Sequence, residues 1–237
     1  MKTRYISILC MAVAALFTSC NSEVDPFANG KGTGRFALTL DADNINVEVE
    51  DTRAGLSAEK AANYNICLYQ GENQLWTSTK KYSDLDASDY LLGIGTGYSV
   101  TAESCTEEEA ETTNEGWGCK RYAGKSEPFA IEASKTTPVT VNCTATNGGL
   151  CVVFDKSFTD TFGRYEVSIE DERGLKFDAT NKSTFDADDN RTGGAVAYYN
   201  LPPSGELTLN LKIRAKGAQD VSKTVDVVIG KITRLTV

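Results

Sequence analysis

The stretch Leu207-Thr208-Leu209-Asn210-Leu211-Lys212-Ile213 decides the fold class, because a large aliphatic side chain occupies every second position. Successive side chains of a β-strand point to opposite faces, so this alternation gives one buried and one solvated face, as in antiparallel sheets. Turn-forming sequences separate such runs, and one short alanine-rich segment, 56–63, is the helical candidate. The sequence therefore predicts an all-β protein made of antiparallel β-sandwiches. Similar runs are Phe36 to Leu40, Ile45 to Val49, Val139 to Cys143 and Tyr165 to Ile169.

An internal repeat predicts two such sandwiches in tandem. Lys135 to Val141 and Lys231 to Val237 share the pattern K-x-T-x-(V/L)-T-V, and a glycine, Gly34 or Gly149, opens an apolar strand upstream of each copy. We therefore expect each unit to begin with a glycine-led strand and to end on the repeated one. This divides the chain into domains at residues 34–146 and 147–237. A pattern this short also recurs by chance, which leaves one large β domain as the alternative.

The N-terminus resembles a bacterial lipoprotein signal. A basic head precedes an uncharged apolar run, residues 6–17, and small residues lead into Cys20. The run is too short for a permanent membrane span, as is typical of cleaved signals. The resemblance implies that residues 1–19 are removed, that the Cys20 thiol carries lipid such as palmitate, and that residues 20–33 form an acylated flexible tether. An ordinary secretory peptide with an incidental cysteine is the alternative.

The residues that follow Cys20 predict a location on the outer membrane. Glu23 and Asp25 lie just beyond the lipidated position, where acidic residues resemble the export tag of Bacteroidetes surface lipoproteins. A solvated acidic tether that carries no address is the alternative. We therefore expect a lipid-anchored protein on the outer membrane, exposed at the cell surface.

The composition excludes several classes of function. The 237 residues carry 33 Asp and Glu against 24 Lys and Arg, a formal net charge of −9, and no His. No nucleic-acid partner is expected, because neutralising phosphates requires a basic surface. Histidine is the commonest general base and a common metal ligand, so we expect no metal, no cofactor and no enzymatic activity. Glycoside hydrolysis by a carboxylate pair remains formally possible.

The five cysteines after Cys20 include one clear candidate disulfide. Cys105 and Cys119 bracket an acid-rich segment, and exported proteins form disulfides, so the pair is predicted to close a hairpin with an acidic, self-repelling tip. Cys143 and Cys151 lie on either side of the expected domain junction and could also pair. Cys67 and Cys151 lie in apolar runs, where a free thiol is commonly buried. The spacing fits no zinc site.

Two further patterns, an acidic loop and a set of aromatic residues, are candidates for ligand binding. Asp186 to Asn190 places oxygen ligands at alternate positions, as calcium loops do, but Arg191 stands where such a loop requires glycine. A solvated loop is therefore the stronger interpretation. Four aromatic residues are candidates for stacking on a sugar, although packing in the core explains strand aromatics equally well. These candidates for glycan contact are Trp117, Tyr122, Tyr198 and Tyr199.

The order and spacing of several motifs resemble a family of Bacteroidetes outer-membrane lipoproteins catalogued as a domain of unknown function. The resemblance covers the chain from about Gly34 to Val237. That family is in turn similar to the fimbrillins, which implies two transthyretin-like or Ig-like sandwiches. The motifs are Tyr98-Ser99-Val100-Thr101-Ala102, Arg121-Tyr122-Ala123-Gly124, Val139-Thr140-Val141-Asn142-Cys143, Val152-Val153-Phe154-Asp155 and Gly230-Lys231-Ile232-Thr233.

The fimbrillin resemblance also implies a processing site. Fimbrillins lose their first strand to an arginine-specific protease and then polymerise by donating a strand to a neighbour, and Arg53 is the residue to suspect here. Two features depart from that scheme. Cleavage at Arg53 would remove two predicted strands, and the repeat makes Lys231 to Val237 the last strand of the second domain, with no following segment to donate.

We therefore expect a non-enzymatic surface lipoprotein with a structural or adhesive role. It would be a fimbrillin-like anchor or accessory component and not a polymerising shaft subunit. Its expected partners are other fimbrial subunits, a host ligand or a glycan. The alternative is a glycan-binding accessory lipoprotein of a polysaccharide-uptake system.

Overall fold

A computed structural model of the protein describes residues 32–41 and 61–237. The predicted signal peptide, Cys20, nearly all of the predicted tether and Arg53 lie outside the described residues. So do the strand predicted at Ile45 to Val49 and most of the helical candidate at 56–63. We refer to the described residues up to Thr146 as the N-terminal half and to residues 147–237 as the C-terminal half.

Strands dominate both halves. In the N-terminal half they are β1 Thr33–Asp41, β2 Asn65–Gln70, β3 Asn73–Gln74, β4 Lys80–Lys81, β5 Leu91–Gly93, β6 Gly95–Glu103, β7 Tyr122–Lys125, β8 Phe129–Ile131, β9 Thr136–Asn142 and β10 Thr144–Ala145. In the C-terminal half they are β11 Asn147–Val153, β12 Tyr165–Ile169, β13 Lys176–Phe177, β14 Thr184–Phe185, β15 Arg191–Gly193, β16 Ala197–Asn200, β17 Glu206–Ala215, β18 Val221–Val228 and β19 Ile232–Thr236. The short α-helices α1 Glu109–Thr112 and α2 Lys156–Thr161 and the 3-10 turns Tyr82–Asp84 and Asn114–Gly116 lie between strands.

Each half is a pair of facing sheets. In the N-terminal half a sheet of order β5-β1-β9 faces a larger sheet of order β10-β7-β6-β2-β3, on which β4 and β8 also pair. In the C-terminal half a sheet of order β16-β11-β19 faces one of order β13-β12-β17-β18, and β14 and β15 form a separate hairpin. The all-β prediction is confirmed, and the predicted alternation is present in β17, where Leu209 and Leu211 are buried while Thr208 and Asn210 are exposed.

In each half the opening strand and the strand that closes the sandwich are parallel neighbours; in the N-terminal half the two-residue β10 follows the closing strand β9. β1 pairs with β9, and β11 pairs with β19, whereas the other pairs among the described strands are antiparallel. Antiparallel sheets were predicted throughout from the alternating pattern, and these two pairs depart from that prediction. A parallel pair requires a long crossover connection, and here the crossover is the rest of the half.

The buried apolar residues form two clusters in the described part of the chain. One is drawn from residues 36–143 and has Phe36, Ile66, Leu68, Val100 and Val141 among its members. The other is drawn from residues 150–235 and has Leu150, Val152, Val167, Phe177 and Leu211 among its members. Each cluster lies between the two facing sheets of its own half.

The predicted repeat corresponds to the same turn in both halves. Ser134 and Gly230, just before the closing strands, have positive φ angles of +55° and +74°. Each donates its backbone N–H to a carbonyl in the opening strand at 2.9 Å, Ser134 to Thr33 and Gly230 to Asn147. The closing strands of the two halves therefore begin in the same way.

A glycine in each opening strand makes room for that turn. A Cβ on Gly34 would lie 2.2 Å from the Glu132 carbonyl oxygen, and one on Gly148 would lie 2.5 Å from the Val228 carbonyl oxygen. Only glycine permits such close approach of two backbones. The counterpart of Gly34 is thus Gly148, one residue before Gly149, which the internal sequence repeat had suggested.

The threonine shared by the two repeat copies has the same bond in each. The hydroxyl of Thr137 donates to the Ala130 carbonyl at 2.9 Å, and that of Thr233 donates to the Asp226 carbonyl at 2.8 Å, each acceptor seven residues earlier in the chain. The K-x-T pattern therefore has a local physical cause, which is to tie the closing strand to the strand before it.

Candidate functional site

The two halves meet at an excursion of the N-terminal half, residues 104–121, which we call the junction segment. It leaves β6 and returns into β7. At its base the Ser104 N–H donates to the Tyr122 carbonyl at 2.8 Å, and the Tyr122 N–H donates to the Ser104 hydroxyl at 2.9 Å. The segment is thus anchored on the N-terminal half by a reciprocal pair of hydrogen bonds.

A capping box organises the start of the junction segment. The Thr106 N–H donates to Glu109 Oε2 at 2.8 Å, while the Glu109 N–H donates to the Thr106 hydroxyl at 3.1 Å. This reciprocal arrangement satisfies backbone donors that the first turn of α1 leaves without partners. Ala110, in the helix, is fully buried. The hydrogen bond from the Thr106 backbone lowers the pKa of Glu109, which keeps the carboxylate charged where it caps.

The acidic residues of the segment bind the C-terminal half. Glu111 Oε1 accepts the backbone N–H of Asn200 at 2.7 Å, and the Glu107 carbonyl accepts the Asn200 side-chain amide at 2.7 Å. The Tyr198 N–H donates to the Trp117 carbonyl at 2.8 Å. The expected hairpin with a self-repelling acidic tip is therefore not what forms, because strand β16 supplies donors to this segment.

Arg173 reaches the junction segment from the C-terminal half. Its Nη1 donates to the Gly116 carbonyl at 3.1 Å and to the Tyr198 carbonyl at 2.8 Å. The guanidinium lies 3.8 Å from the centre of the Tyr199 ring and is 3.4 Å from the Asp171 carboxylate. A guanidinium has several donors in a fixed plane, so one side chain can bridge both halves in this way.

Asn147, where the chain enters the C-terminal half, is tied to the same segment. It is 1% exposed; its side-chain N–H donates to the Cys119 carbonyl at 2.8 Å, and its Oδ1 accepts the Arg121 N–H at 2.9 Å. Arg121 in turn pairs with Glu103 at 2.7 Å and donates through Nε to the Cys105 carbonyl at 3.1 Å. A buried amide that satisfies both of its polar ends rigidifies its surroundings.

The cysteine pair lies at the base of the junction segment. Cys105 Sγ and Cys119 Sγ are 3.1 Å apart and are thiols in the structure. Burial, with the neighbouring Cys119, raises the pKa of Cys105 to about 12. Cys67 and Cys143 are buried free thiols, and Cys151 is buried as well; desolvation raises the pKa of Cys143 to about 11.

A cleft of about 300 Å³ opens between the junction segment and the C-terminal half. It brings together Trp117 and Tyr198, two of the four residues predicted to contact a glycan. Beside them are an amide and a guanidinium, from Asn114 and Arg191. The lining residues are Asn114, Trp117, Gly118, Arg191, Gly194, Ala195, Val196 and Tyr198.

The other two predicted glycan contacts lie elsewhere. Tyr199 is 5% exposed, packs in the C-terminal core and donates its hydroxyl to Asp171 at 2.8 Å, and burial raises its pKa. Its ring is therefore not available for stacking on a sugar. Tyr122 packs against the N-terminal cluster, with the Lys120 ammonium 5.2 Å from its ring centre. Trp117 is itself engaged edge-on with Phe177, at 4.9 Å between ring centres.

The calcium-like loop is organised by its own hydrogen bonds. Asp186 Oδ1 accepts the backbone N–H groups of Asp188 at 3.0 Å and Asn190 at 2.8 Å, and Asp189 pairs with Arg234. Within residues 32–41 and 61–237 no group of three or more His, Cys, Asp or Glu side chains is placed to hold a metal ion. Among those residues, too, no helix is long and apolar enough to cross a membrane.

Sequence reasoning missed the residues that join the halves. Asn147, Arg173 and Asn200 were not predicted to bind the other half, because their partners are distant in sequence. One local signal was present: Thr106 and Glu109 have the T-x-x-E spacing of a capping box, which predicts a helix start where a hairpin tip was expected.

Comparison with solved structures finds several that are similar to this chain. The fimbrial anchor protein Mfa2 from Porphyromonas gingivalis is 12% identical, with a TM-score of 0.46 over 85% of this chain and 90% of that one. A putative polysaccharide binding protein (DUF1812) from Bacteroides thetaiotaomicron is 12% identical, with a TM-score of 0.45 over 82% and 80%. A fimbrial assembly protein from Parabacteroides distasonis is 10% identical, with a TM-score of 0.42 over 87% and 90%.

Comparison with curated proteins finds no match to this sequence. A family model does match, and it spans residues 32–237, which include both halves and the junction segment. The chain therefore belongs to the family described as Domain of unknown function (DUF4493).

Proposed function

We propose that this protein is a non-enzymatic, fimbrillin-like surface lipoprotein with a structural or adhesive role. It is held to the outer membrane by acyl chains on Cys20 and serves as an anchor or accessory component, not as a polymerising shaft subunit. Residues 34–146 and 147–237 act as two domains braced by the junction segment. Its partners are other fimbrial subunits or a host ligand.

The parallel pairing of the opening and closing strands of each half, β1 with β9 and β11 with β19, carries this proposal. β1 and β9 have seven register pairs, and β11 and β19 have five. A force that pulls the chain from the tether side of β1 and from the far end of β9 acts on opposite ends of two parallel strands. It therefore loads their hydrogen bonds together, in shear, and not one by one. The same geometry holds for β11 and β19, which suits a protein that transmits tension to a membrane anchor.

The place of β19 supports an anchor or accessory role over a shaft role. Its Leu235 is 4% exposed and belongs to the C-terminal cluster, and the Thr233 hydroxyl ties the strand to β18. A strand that fills its own domain in this way is not available for insertion into a neighbour.

Cell-surface location is tested on intact cells that express the protein and a matched Cys20→Ala variant. We expect external protease to remove the wild-type protein, metabolic labelling with a palmitate analogue to mark it, and the variant to lose the label. Full protection from protease, with the label retained, would place the lipoprotein on the periplasmic side and contradict an adhesive role at the cell surface. Ladders of stable oligomers on an unboiled gel would instead indicate a polymerising subunit.

The mechanical role is tested by pulling single molecules between their two ends. We expect two unfolding events, both at the high forces typical of shear. Unfolding of both halves by gradual unzipping at low force would contradict the anchor proposal even for a protein correctly exposed on the surface.

A further inference from the structure

The two sulfurs of Cys105 and Cys119 lie where the junction segment leaves and rejoins the N-terminal half. They are 3.1 Å apart, and the backbone around them is already fixed. The Cys119 N–H donates to the Ala110 carbonyl at 3.0 Å, and the Cys105 carbonyl accepts from Arg121 at 3.1 Å. Bond formation therefore needs little rearrangement of the chain.

Apart from the Cys119 carbonyl and the Arg121 N–H, which bind Asn147, the groups described above that the segment contributes to the other half lie between these two cysteines. Glu107, Glu111, Gly116 and Trp117 supply the groups that bind Asn200, Arg173 and Tyr198. The Cys119 carbonyl itself accepts from Asn147, at the first residue of β11. A covalent closure at the base of the segment would thus restrict all of these contacts at once.

We propose that Cys105 and Cys119 form a disulfide in the exported protein and that this bond braces the two halves against each other. The two thiols give up two protons and two electrons, and one S–S bond forms. A disulfide-bearing oxidant of the cell envelope accepts the electrons by thiol–disulfide exchange and is itself reduced to two thiols. Cys105–Cys119 is then a structural modification of the junction and not a redox centre.

The environment of the pair agrees with a structural role. Reactive cysteines have lowered pKa values, because the thiolate is the nucleophile. Burial instead raises the pKa of Cys105 to about 12, so the Cys105 thiol contributes little thiolate at neutral pH and is suited neither to catalysis nor to fast exchange.

Alkylation followed by mass spectrometry tests whether the bond exists. The full-length acylated protein is extracted from envelopes with N-ethylmaleimide present and digested with trypsin. Both cysteines fall in one peptide, 82–120, since no Lys or Arg lies between Lys81 and Lys120. We expect this peptide to be unalkylated and two hydrogen masses below the dithiol, and to take up two alkyl groups only after reduction. Two alkyl groups before reduction would overturn the proposal.

Hydrogen exchange tests whether the bond braces the halves. The amides of Tyr198 and Asn200 report on the junction, and the Glu170 amide, which donates to Asn210 at 2.9 Å, is the internal control. On reduction of the detergent-solubilised wild-type protein, we expect the two junction amides to exchange about tenfold faster, with Glu170 unchanged. In a Cys105→Ala/Cys119→Ala double variant the reductant should have no effect.

Equal exchange of the junction amides before and after reduction would overturn the bracing role. Because wild-type protein is compared with itself, this result stands even if the double variant fails to fold. The bond also requires export to an oxidising compartment, so a parallel sample is oxidised with glutathione disulfide in vitro. If oxidation in vitro slows exchange of the junction amides while the protein on cells is protected from external protease, the bracing role holds and the surface proposal alone fails.

Discussion

The two halves of the molecule are closed in the same way but differ in the segments that connect their strands. In both, a glycine in the opening strand, a positive-φ turn and a threonine hydroxyl position the closing strand. In the N-terminal half the chain from β1 to β2 contains Arg53, and the chain from β6 to β7 leaves the half as the junction segment. In the C-terminal half β11 begins at Asn147, which that segment holds.

This difference assigns separate roles to matching strands. β1 is followed by a segment that a protease specific for arginine could cut, so it is the opening strand that cleavage could detach. β11 is fixed at its first residue by the buried Asn147 side chain. The N-terminal half therefore carries both the candidate processing site and the brace, while the C-terminal half supplies the surface to which the brace binds.

Loss of β1 is the largest change that the comparison predicts. A protein that starts at Ala54, as cleavage at Arg53 would leave it, lacks the buried Phe36 and Leu38, which are 2% and 8% exposed. We expect the N-terminal half to lose about 3–6 kcal/mol, at about 1.5–3 kcal/mol for each side chain. Denaturant unfolding followed by hydrogen exchange of each half measures it. An unchanged midpoint for the N-terminal half would show that β1 is dispensable.

The matched glycines come next. Gly34→Ala and Gly148→Ala each place a Cβ within 2.5 Å of a carbonyl oxygen, and overpacking of this kind costs about 2–3 kcal/mol. Gly34→Ala should destabilise the N-terminal half and Gly148→Ala the C-terminal half. Gly93→Ala is the control, since nothing lies within 4 Å of its added Cβ. Equal destabilisation of both halves by either variant would indicate a single cooperative unit in place of two domains.

Arg173→Lys separates the charge of Arg173 from its geometry. Lysine keeps the attraction to Asp171 but cannot donate to the Gly116 and Tyr198 carbonyls while lying over the Tyr199 ring. We expect a loss of about 1–2 kcal/mol, concentrated at the junction. Calorimetry and exchange of the junction amides measure it. Wild-type stability for this variant would mean that the guanidinium does not bridge the halves.

The paired threonines should show the smallest effect. Thr137→Val and Thr233→Val each remove one hydroxyl hydrogen bond, worth about 1 kcal/mol. We expect equal losses of stability, each confined to its own half, when unfolding is followed by chemical denaturation. Thr140→Val, at an exposed position of β9, is the control and should change little. A clear loss for only one of the pair would show that the repeat is not energetically equivalent in the two halves.

The strands and their repeat were predictable from the sequence, but their pairing was not. Alternation such as that of Leu207 to Ile213 reports one buried face and is typical of antiparallel sheets, yet β9 alternates as well although its neighbour β1 is parallel. The orientation of β9 and β19 could therefore not be foreseen. The acidic run Glu107 to Glu111 suggested repulsion when read alone. The groups that donate to it belong to Asn200 and Arg121, which lie outside the run and could not be assigned to it from the sequence. Likewise, which of Tyr198 and Tyr199 faces the core depends on the register of β16 against β11.

Native-state hydrogen exchange at increasing denaturant tests the central claim most directly, which is that each half is held closed by the parallel pairing of its opening and closing strands, β1 with β9 and β11 with β19. We predict that the amides of β1 lose protection together with those of β9, and the amides of β11 together with those of β19. Exchange of β19 at low denaturant, while β11 stays protected, would contradict the account. It would show a strand that is loosely held and free to be donated to a neighbour.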